Sequence, residues 1–164
     1  MLLTIDIGNT NLTLGLYEGD KLGAHWRLST DHNRMPDEYG LQFLGVLQNA
    51  KKTIKDIQGI SVASVVPPLT GRVVQACREY LKQEPLVVDA GVKTGIKIRY
   101  EDPKAVGADR VCDAVAVMKL YGGPACVASP QRRPLIYQSV PHIYRGRHDG
   151  GRAKRGKRER TALP

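Results

Sequence analysis

A short apolar strand followed at once by a polar turn opens the chain, and this arrangement constrains the fold most. Residues 1–7 predict a buried strand with Asp6 near its end, and residues 11–17 predict a second strand after the turn. A carboxylate at this place can hold Mg²⁺, largely through water, because Mg²⁺ prefers oxygen ligands and keeps much of its hydration. Gly8 is expected to let the backbone approach a phosphate and adopt positive φ. The turn therefore predicts a phosphate-binding site.

The polar side chains that surround Gly8 support this interpretation, because they offer hydrogen bonds without adding charge. They are Asn9, Thr10, Asn11 and Thr13. Gly15 is expected to allow close packing of the second strand. The alternative is an ordinary Asx-Gly hairpin turn. The turn directly follows a buried strand that ends in a carboxylate, and this favours phosphate binding.

The rest of the hydrophobic pattern predicts an α/β fold with an antiparallel start. Further strands are expected at 21–29, 60–66, 85–88, 97–100 and from 125. Helices are expected at 37–50, 71–81 and 108–121. Thr70 is the predicted cap of the second helix, and Pro67-Pro68 is expected to end the strand before it. Residues 128–164 show no sustained periodicity and are expected to form a basic, low-order tail after a domain of residues 1–127.

The net charge of +9 is concentrated in that tail. Residues 1–126 carry 15 Lys and Arg against 14 Asp and Glu, whereas residues 127–164 carry 10 against 2. A nucleic-acid-binding role would therefore belong to the tail alone. The three cysteines match neither a zinc spacing nor a disulfide framework, and no stretch is long enough to span a membrane. A reduced, cytoplasmic protein is the default expectation.

A second motif, Gly107-Ala108-Asp109-Arg110, lies at the start of the third predicted helix. Asp109 in a first helical turn is favoured by the helix dipole, and Arg110 can be an ordinary surface residue. The functional alternative makes Asp109 the base that accepts a hydroxyl proton, as in kinases that act on alcohols. Arg110 would then bind an acidic substrate through a forked contact. The residues alone favour the structural interpretation.

Three segments taken together resemble the type III pantothenate kinases. They are Asp6 to Gly15 (DIGNTNLTLG), Ser64 to Pro67 (SVVP) and Gly107 to Arg110 (GADR), followed by Ala114 to Ala116. The resemblance is collinear from Met1 to about Val127. It implies a ribonuclease H-like (actin-like ATPase) domain, the N-terminal half of a two-domain kinase. It also implies ATP-dependent phosphorylation of pantothenate to 4'-phosphopantothenate, the first step of coenzyme A biosynthesis.

The resemblance assigns roles by position. Asp6, Ile7, Gly8, Asn9, Thr10, Asn11, Leu12 and Thr13 would contact the ATP phosphates, with Asp6 also at Mg²⁺. Tyr100, Gly107, Ala108, Asp109 and Arg110 would bind pantothenate, with Asp109 as the catalytic base. The family also uses a monovalent cation, K⁺ or NH₄⁺, and forms a homodimer. No membrane and no nucleic-acid partner is expected.

The chain departs from the family after Val127. The family continues with a second phosphate motif of the type V-D-F-G-T-A-T-T-F-D, whose first Asp helps to hold the monovalent cation. Residues 128–136 (ASPQRRPLI) contain no acidic residue. With a suitable choice of codons, inserting one base would turn them into D-F-A-T-A-T-T-F-D. We therefore expect residues from about 128 to 159 to be read out of frame, although 160–164 resemble the family again, which requires a second, compensating shift.

Two alternatives remain open at this stage. The first is a regulatory or binding protein of the same fold, for example a transcriptional accessory factor, but Asp109 and Arg110 favour the kinase. A genuine Arg- and Gly-rich tail would bind RNA as a flexible arm. In the family, ATP and the substrate bind in a cleft between the two halves of the kinase. If the second half is missing, the chain itself should have little or no activity, because phosphoryl transfer depends on positioning by both walls of that cleft.

Overall fold

A mixed five-stranded sheet carries the N-terminal part of the chain. The computed structural model describes residues 1–89, 91–99, 106–122, 125–127, 135–137 and 142–145; for 97–99 and from 125 onward, only the backbone is described. The strands of this sheet are β1 (Leu2–Ile7), β2 (Asn11–Glu18), β3 (Lys21–Ser29), β4 (Gly59–Ser64) and β5 (Leu86–Val88). Their order is β3-β2-β1-β4-β5. The three antiparallel strands at one side were predicted, and β4 and β5 join them in parallel.

The register of β1 against β2 sorts apolar and polar residues onto opposite faces. Leu3 pairs with Leu16, Ile5 with Leu14 and Ile7 with Leu12, and all six are buried. The alternate positions of the same strands point to the other face. A slip of one residue would exchange the two sets, so the apolar alternation fixes the register.

Two helices, α1 (Pro36–Asn49) and α2 (Pro67–Tyr80), cover the apolar face. Tyr39 and Phe43 of α1 are fully buried in the same core cluster as Val73 and Cys77 of α2. α2 begins four residues earlier than predicted, and the reason is Pro67: proline is favoured in the first turn of a helix, where its missing N–H group is not needed.

Thr70 is therefore not the cap of α2, which was the expectation, but a residue within its first turns. Val66 occupies the N-cap position without a side-chain hydrogen bond. The Thr70 hydroxyl instead lies 2.8 Å from the Ser64 hydroxyl, and the Val66 N–H donates to the same Ser64 oxygen at 3.1 Å. These bonds tie the end of β4 to the start of α2.

The third helix, α3 (Ala108–Tyr121), has the predicted bounds and lies on the opposite face of the sheet. Its buried residues Ala108, Val111 and Ala114 are outside the core cluster of α1 and α2, and the helix contacts β4 and β5. Near its C-terminal end, Lys119 Nζ lies 3.9 Å from Asp20 Oδ1 in the β2–β3 turn. The helix therefore runs from the end of β4 towards the opposite end of the sheet.

Four short strands form a second sheet of order β6-β9-β8-β7. They are β6 (Lys97–Arg99), β7 (Ala125–Val127), β8 (Leu135–Tyr137) and β9 (His142–Arg145). β6 and β7 were predicted from the sequence. β8 and β9 lie within the segment 128–164, where no periodic element was expected. No helix among the described residues is long and apolar enough to cross a membrane.

Candidate active site

The polar turn between β1 and β2, residues 8–11, is held by its own backbone. The Gly8 N–H donates to Asn11 O at 2.9 Å and closes a turn with Asn9 and Thr10 at its tip. The expectation that Gly8 adopts positive φ is wrong, since the described glycines with positive φ are Gly19, Gly95 and Gly122. A Cβ at Gly8 would lie 3.1 Å from Asn11 O. Glycine is therefore favoured here because the backbones at Gly8 and Asn11 approach each other closely.

The turn presents polar groups to solvent. Asn9, Thr10 and Asn11 are exposed, and within the described part of the chain the backbone N–H groups of Asn9 and Thr10 donate to no protein acceptor. Ile7 and Leu12, by contrast, have fully buried side chains in the core. Of the predicted phosphate-binding residues, these two can therefore offer only backbone atoms to a ligand.

Asp6 lies on the α3 side of the sheet, opposite the apolar core. It pairs with Thr13 of β2 on one side and with Ala63 of β4 on the other. Although the carboxylate keeps solvent contact, partial burial raises its pKa, and the carboxylates of Asp109 and Asp113 raise the pKa further. Residues from two distant motifs are thus brought into electrostatic contact.

Gly15 confirms the expected close packing on the same face. A Cβ there would lie 2.7 Å from Thr4 Oγ1, and the Thr4 hydroxyl donates to Gly15 O at 3.2 Å. A larger residue would push Thr4 out of its place next to Asp6 on the strand.

The GADR motif starts α3 beside the end of β4. Gly107 is the N-cap, and Asp109 lies in the first turn with its Oδ1 atom hidden from solvent. A Cβ at Gly107 would lie 2.5 Å from Asp109 Oδ1 and 3.4 Å from Val65 Cγ1. The absence of a side chain at Gly107 thus leaves room for the Asp109 carboxylate and lets the start of α3 lie close to Val65 of the SVVP segment.

Asp113 and Cys112 lie within electrostatic range of the predicted carboxylates, although neither residue was predicted. Burial, followed by the charge of Asp109, raises the pKa of Asp113. Burial and then the carboxylates of Asp6, Asp113 and Asp109 raise the pKa of the Cys112 thiol. The spacing of four between Asp109 and Asp113 was an available signal, because residues i and i+4 share a helix face.

Two other predicted substrate-binding residues have different outcomes. Arg110 is partly buried in the first turn of α3, where its backbone N–H donates to Gly107 O at 3.0 Å. Tyr100 lies outside the described residues, as do residues 101–105 between it and the GADR motif. Within the described residues, the structure therefore brings together Asp6, the polar turn and the start of α3.

A divalent cation bound at Asp6 would offset both the burial and the repulsion by Asp109 and Asp113 that raise the pKa of this carboxyl. No group of three or more His, Cys, Asp and Glu side chains in the described segments is arranged to hold a metal ion. Mg²⁺ does not need such a group, since it is commonly held by one or two carboxylates, water and substrate phosphates. Asp6 could supply such a carboxylate.

A mixed sheet that starts with three antiparallel strands and carries helices on both faces fits the N-terminal domain of an actin-like ATPase. The family model for type III pantothenate kinase matches residues 2–129. The chain belongs to the type III pantothenate kinase family.

Curated relatives with that name are similar over the same region. The protein of Brevibacillus brevis is 46% identical over 127 residues, which cover 77% of this chain and 50% of the relative. That of Moorella thermoacetica is 48% identical over 127 residues, again 77% of this chain and 50% of the relative. The chain spans about half the length of the curated relatives it matches.

Proposed function

We propose that this chain provides the nucleotide and substrate wall of an enzyme that phosphorylates pantothenate with ATP to give 4'-phosphopantothenate. The observation that carries the proposal is the electrostatic interaction of Asp6 with Asp109 on one side of the sheet, beside the exposed polar turn. Family membership supplies the identity of the substrate. The activity of the whole protein would open coenzyme A biosynthesis.

Each part of the site has a proposed role. The N–H groups of Asn9 and Thr10 and the nearby side chains of Asn11 and Thr13 bind ATP phosphates. Asp6 holds Mg²⁺, which when bound neutralises charge on the phosphates. Gly107, Ala108 and Arg110, with Tyr100, bind pantothenate and its carboxylate. The monovalent cation, the homodimer and a cytoplasmic location remain part of the proposal through the family alone.

Asp109 is the proposed general base. Its carboxylate accepts the proton of the primary hydroxyl of pantothenate while that oxygen forms a bond to the γ-phosphorus of ATP. The bond between this phosphorus and the oxygen of the departing ADP breaks in the same step. One oxygen of this carboxylate, Oδ1, is hidden from solvent. In phosphoryl transfer, positioning together with electrostatic stabilisation supplies most of the rate.

We infer in addition that the five-stranded sheet is ribonuclease H-like. The order β3-β2-β1-β4-β5 supports this, with its three antiparallel strands followed by two parallel ones. The domain boundary near 127 and the out-of-frame origin of 128–159 are proposals too. The end of the family match at residue 129 supports them. The DNA around codon 128 is the test, and codons that cannot be regrouped into the family motif would refute the frame shift.

Ligand binding and turnover test the function on the purified 164-residue chain. Calorimetric titration should detect MgATP, and Asp6→Asn should abolish that binding. Pantothenate binding should be weakened by substitution of Arg110 with Met, while the exposed Arg78→Met serves as the matched control. Turnover, followed as ADP release, should be very low. A wild-type chain that binds neither ligand would refute the proposed site. Rapid turnover would refute the interpretation that this chain provides only one wall of the binding cleft.

A further inference from the structure

The segment that follows β3 lies against the polar turn and makes two hydrogen bonds to it. The Thr30 hydroxyl donates to Gly8 O at 2.7 Å, and the Thr30 N–H donates to Thr10 O at 2.9 Å. One residue from a third part of the chain thus holds both sides of Asn9. We propose that Thr30 is a positioning residue that orients the Asn9 N–H for phosphate binding; this rests on the function proposed above.

Peptide planarity gives the mechanism. The Gly8 carbonyl and the Asn9 N–H belong to one planar trans peptide unit and point in opposite directions. A hydrogen bond that fixes Gly8 O therefore fixes the direction of the Asn9 N–H, which is open to solvent. The second bond, at Thr10 O, restrains the far end of the turn. Donors that are already oriented lose less entropy when they bind an anion.

Thr30 can act in this way because the segment after it is itself anchored. The Tyr39 hydroxyl donates to Asp31 O at 3.0 Å. Arg72 of α2 donates through Nη1 to His32 O at 2.8 Å and to Arg34 O at 3.1 Å. Three carbonyls of an irregular segment are thus held by side chains of the two helices that cover the core. Thr30 transmits that rigidity to the turn.

The hydroxyl of Thr30 is the feature to test. Thr30→Val keeps the shape of the side chain but removes the donor to Gly8 O, whereas Thr30→Ser keeps the donor. Thr53→Val is the matched control, since it also removes a hydroxyl that donates a hydrogen bond, here to Asp56 Oδ2. That bond lies at the 3-10 turn Ile54–Asp56, which is bonded to the N-terminus and therefore lies at the other end of β1. Two measurements are needed: the backbone ¹⁵N order parameters of Asn9 and Thr10, and the Kd for MgATP by calorimetry.

The expected result is a pattern across the three variants. Thr30→Val should lower the order parameter of Asn9 from about 0.85 towards about 0.6 and raise the Kd about three- to tenfold. Thr30→Ser and Thr53→Val should stay close to wild type in both measurements. A merely structural role would lower the stability of Thr30→Val but leave the order parameter of Asn9 and the Kd for MgATP unchanged.

The outcomes separate this inference from the proposed function. An unchanged order parameter in Thr30→Val overturns the positioning role, whatever the affinity. A lower order parameter with an unchanged Kd also overturns it, because orientation then does not matter for binding. If the wild-type chain binds no MgATP, the proposed function fails, and with it the role of Thr30 in phosphate binding, even if the order parameters show that Thr30 rigidifies the turn.

Discussion

The contact between α1 and α2 depends on one glycine, and its substitution is the sharpest test of the packing. A Cβ at Gly40 would fall onto the ring of Tyr80, with Cε2 only 2.7 Å away and two further ring atoms closer still. Tyr80 is not free to move without cost, because its hydroxyl donates to Asp37 Oδ1 at 2.7 Å. Gly40→Ala must therefore displace the ring or separate the helices.

The size of the effect follows from opposing contributions. Replacing glycine by alanine inside a helix stabilises it by up to about 1 kcal/mol. Overpacking of this kind costs about 1–3 kcal/mol, and loss of the Tyr80–Asp37 hydrogen bond adds about 1 kcal/mol. We expect Gly40→Ala to lower the free energy of unfolding by about 1–3 kcal/mol in total.

Gly45 of the same helix provides the matched control, because a Cβ there would meet nothing within 4 Å. Gly45→Ala should stabilise the chain by about 0.5–1 kcal/mol. Urea unfolding followed by circular dichroism measures both variants. In a double-mutant cycle, Tyr80→Ala should remove most of the cost of Gly40→Ala, since the ring causes it. If Gly40→Ala is as stable as Gly45→Ala, the reasoning from the ring contact is refuted.

Two further predictions concern the site. Because the folded chain raises the pKa of Asp6, the ionised carboxylate opposes folding above that pKa, and this cost disappears below the ordinary Asp value of 3.8. Asp6→Asn should therefore raise the free energy of unfolding at pH 7 while abolishing MgATP binding. Urea titrations should show that this gain in stability shrinks as the pH falls towards 3. A variant that is less stable than wild type at pH 7 would contradict this reasoning. Gly107→Ala should displace the Asp109 carboxylate and lower the free energy of unfolding by about 1–3 kcal/mol. It should also weaken pantothenate binding, measured by calorimetry. An unchanged affinity would contradict the placement of Asp109.

The sequence alone predicted most of the secondary structure, because the relevant signals are local. The bounds of β3 and α3 were predicted correctly, and those of β1, β2 and α1 within a residue. Alternation of Leu12, Leu14 and Leu16 is enough to define a strand with one buried face. α2 was the main error, since Pro67-Pro68 was interpreted as the end of a strand although it occupies the first turn of a helix.

The site was predicted in part. Asp6, the polar turn and the GADR motif were identified as separate segments, and their functional interpretation depended on family resemblance. The sequence offered no signal for Thr30, whose two bonds to the turn arise only when β3 pairs with β2. Asp113 could have been found from its spacing to Asp109, but its proximity to Asp6 could not.

What the sequence determined by itself is the strand, the turn and the helix start, because these depend on neighbours along the chain. What only the tertiary structure decided is that Asp6 and Asp109, separated by about a hundred residues, interact electrostatically on one side of the sheet. The parallel pairing of β1 with β4 brings the end of β4 next to Asp6, and Val65 then receives Gly107 at the start of α3. Such contacts depend on packing between distant segments, which no local pattern of residues records.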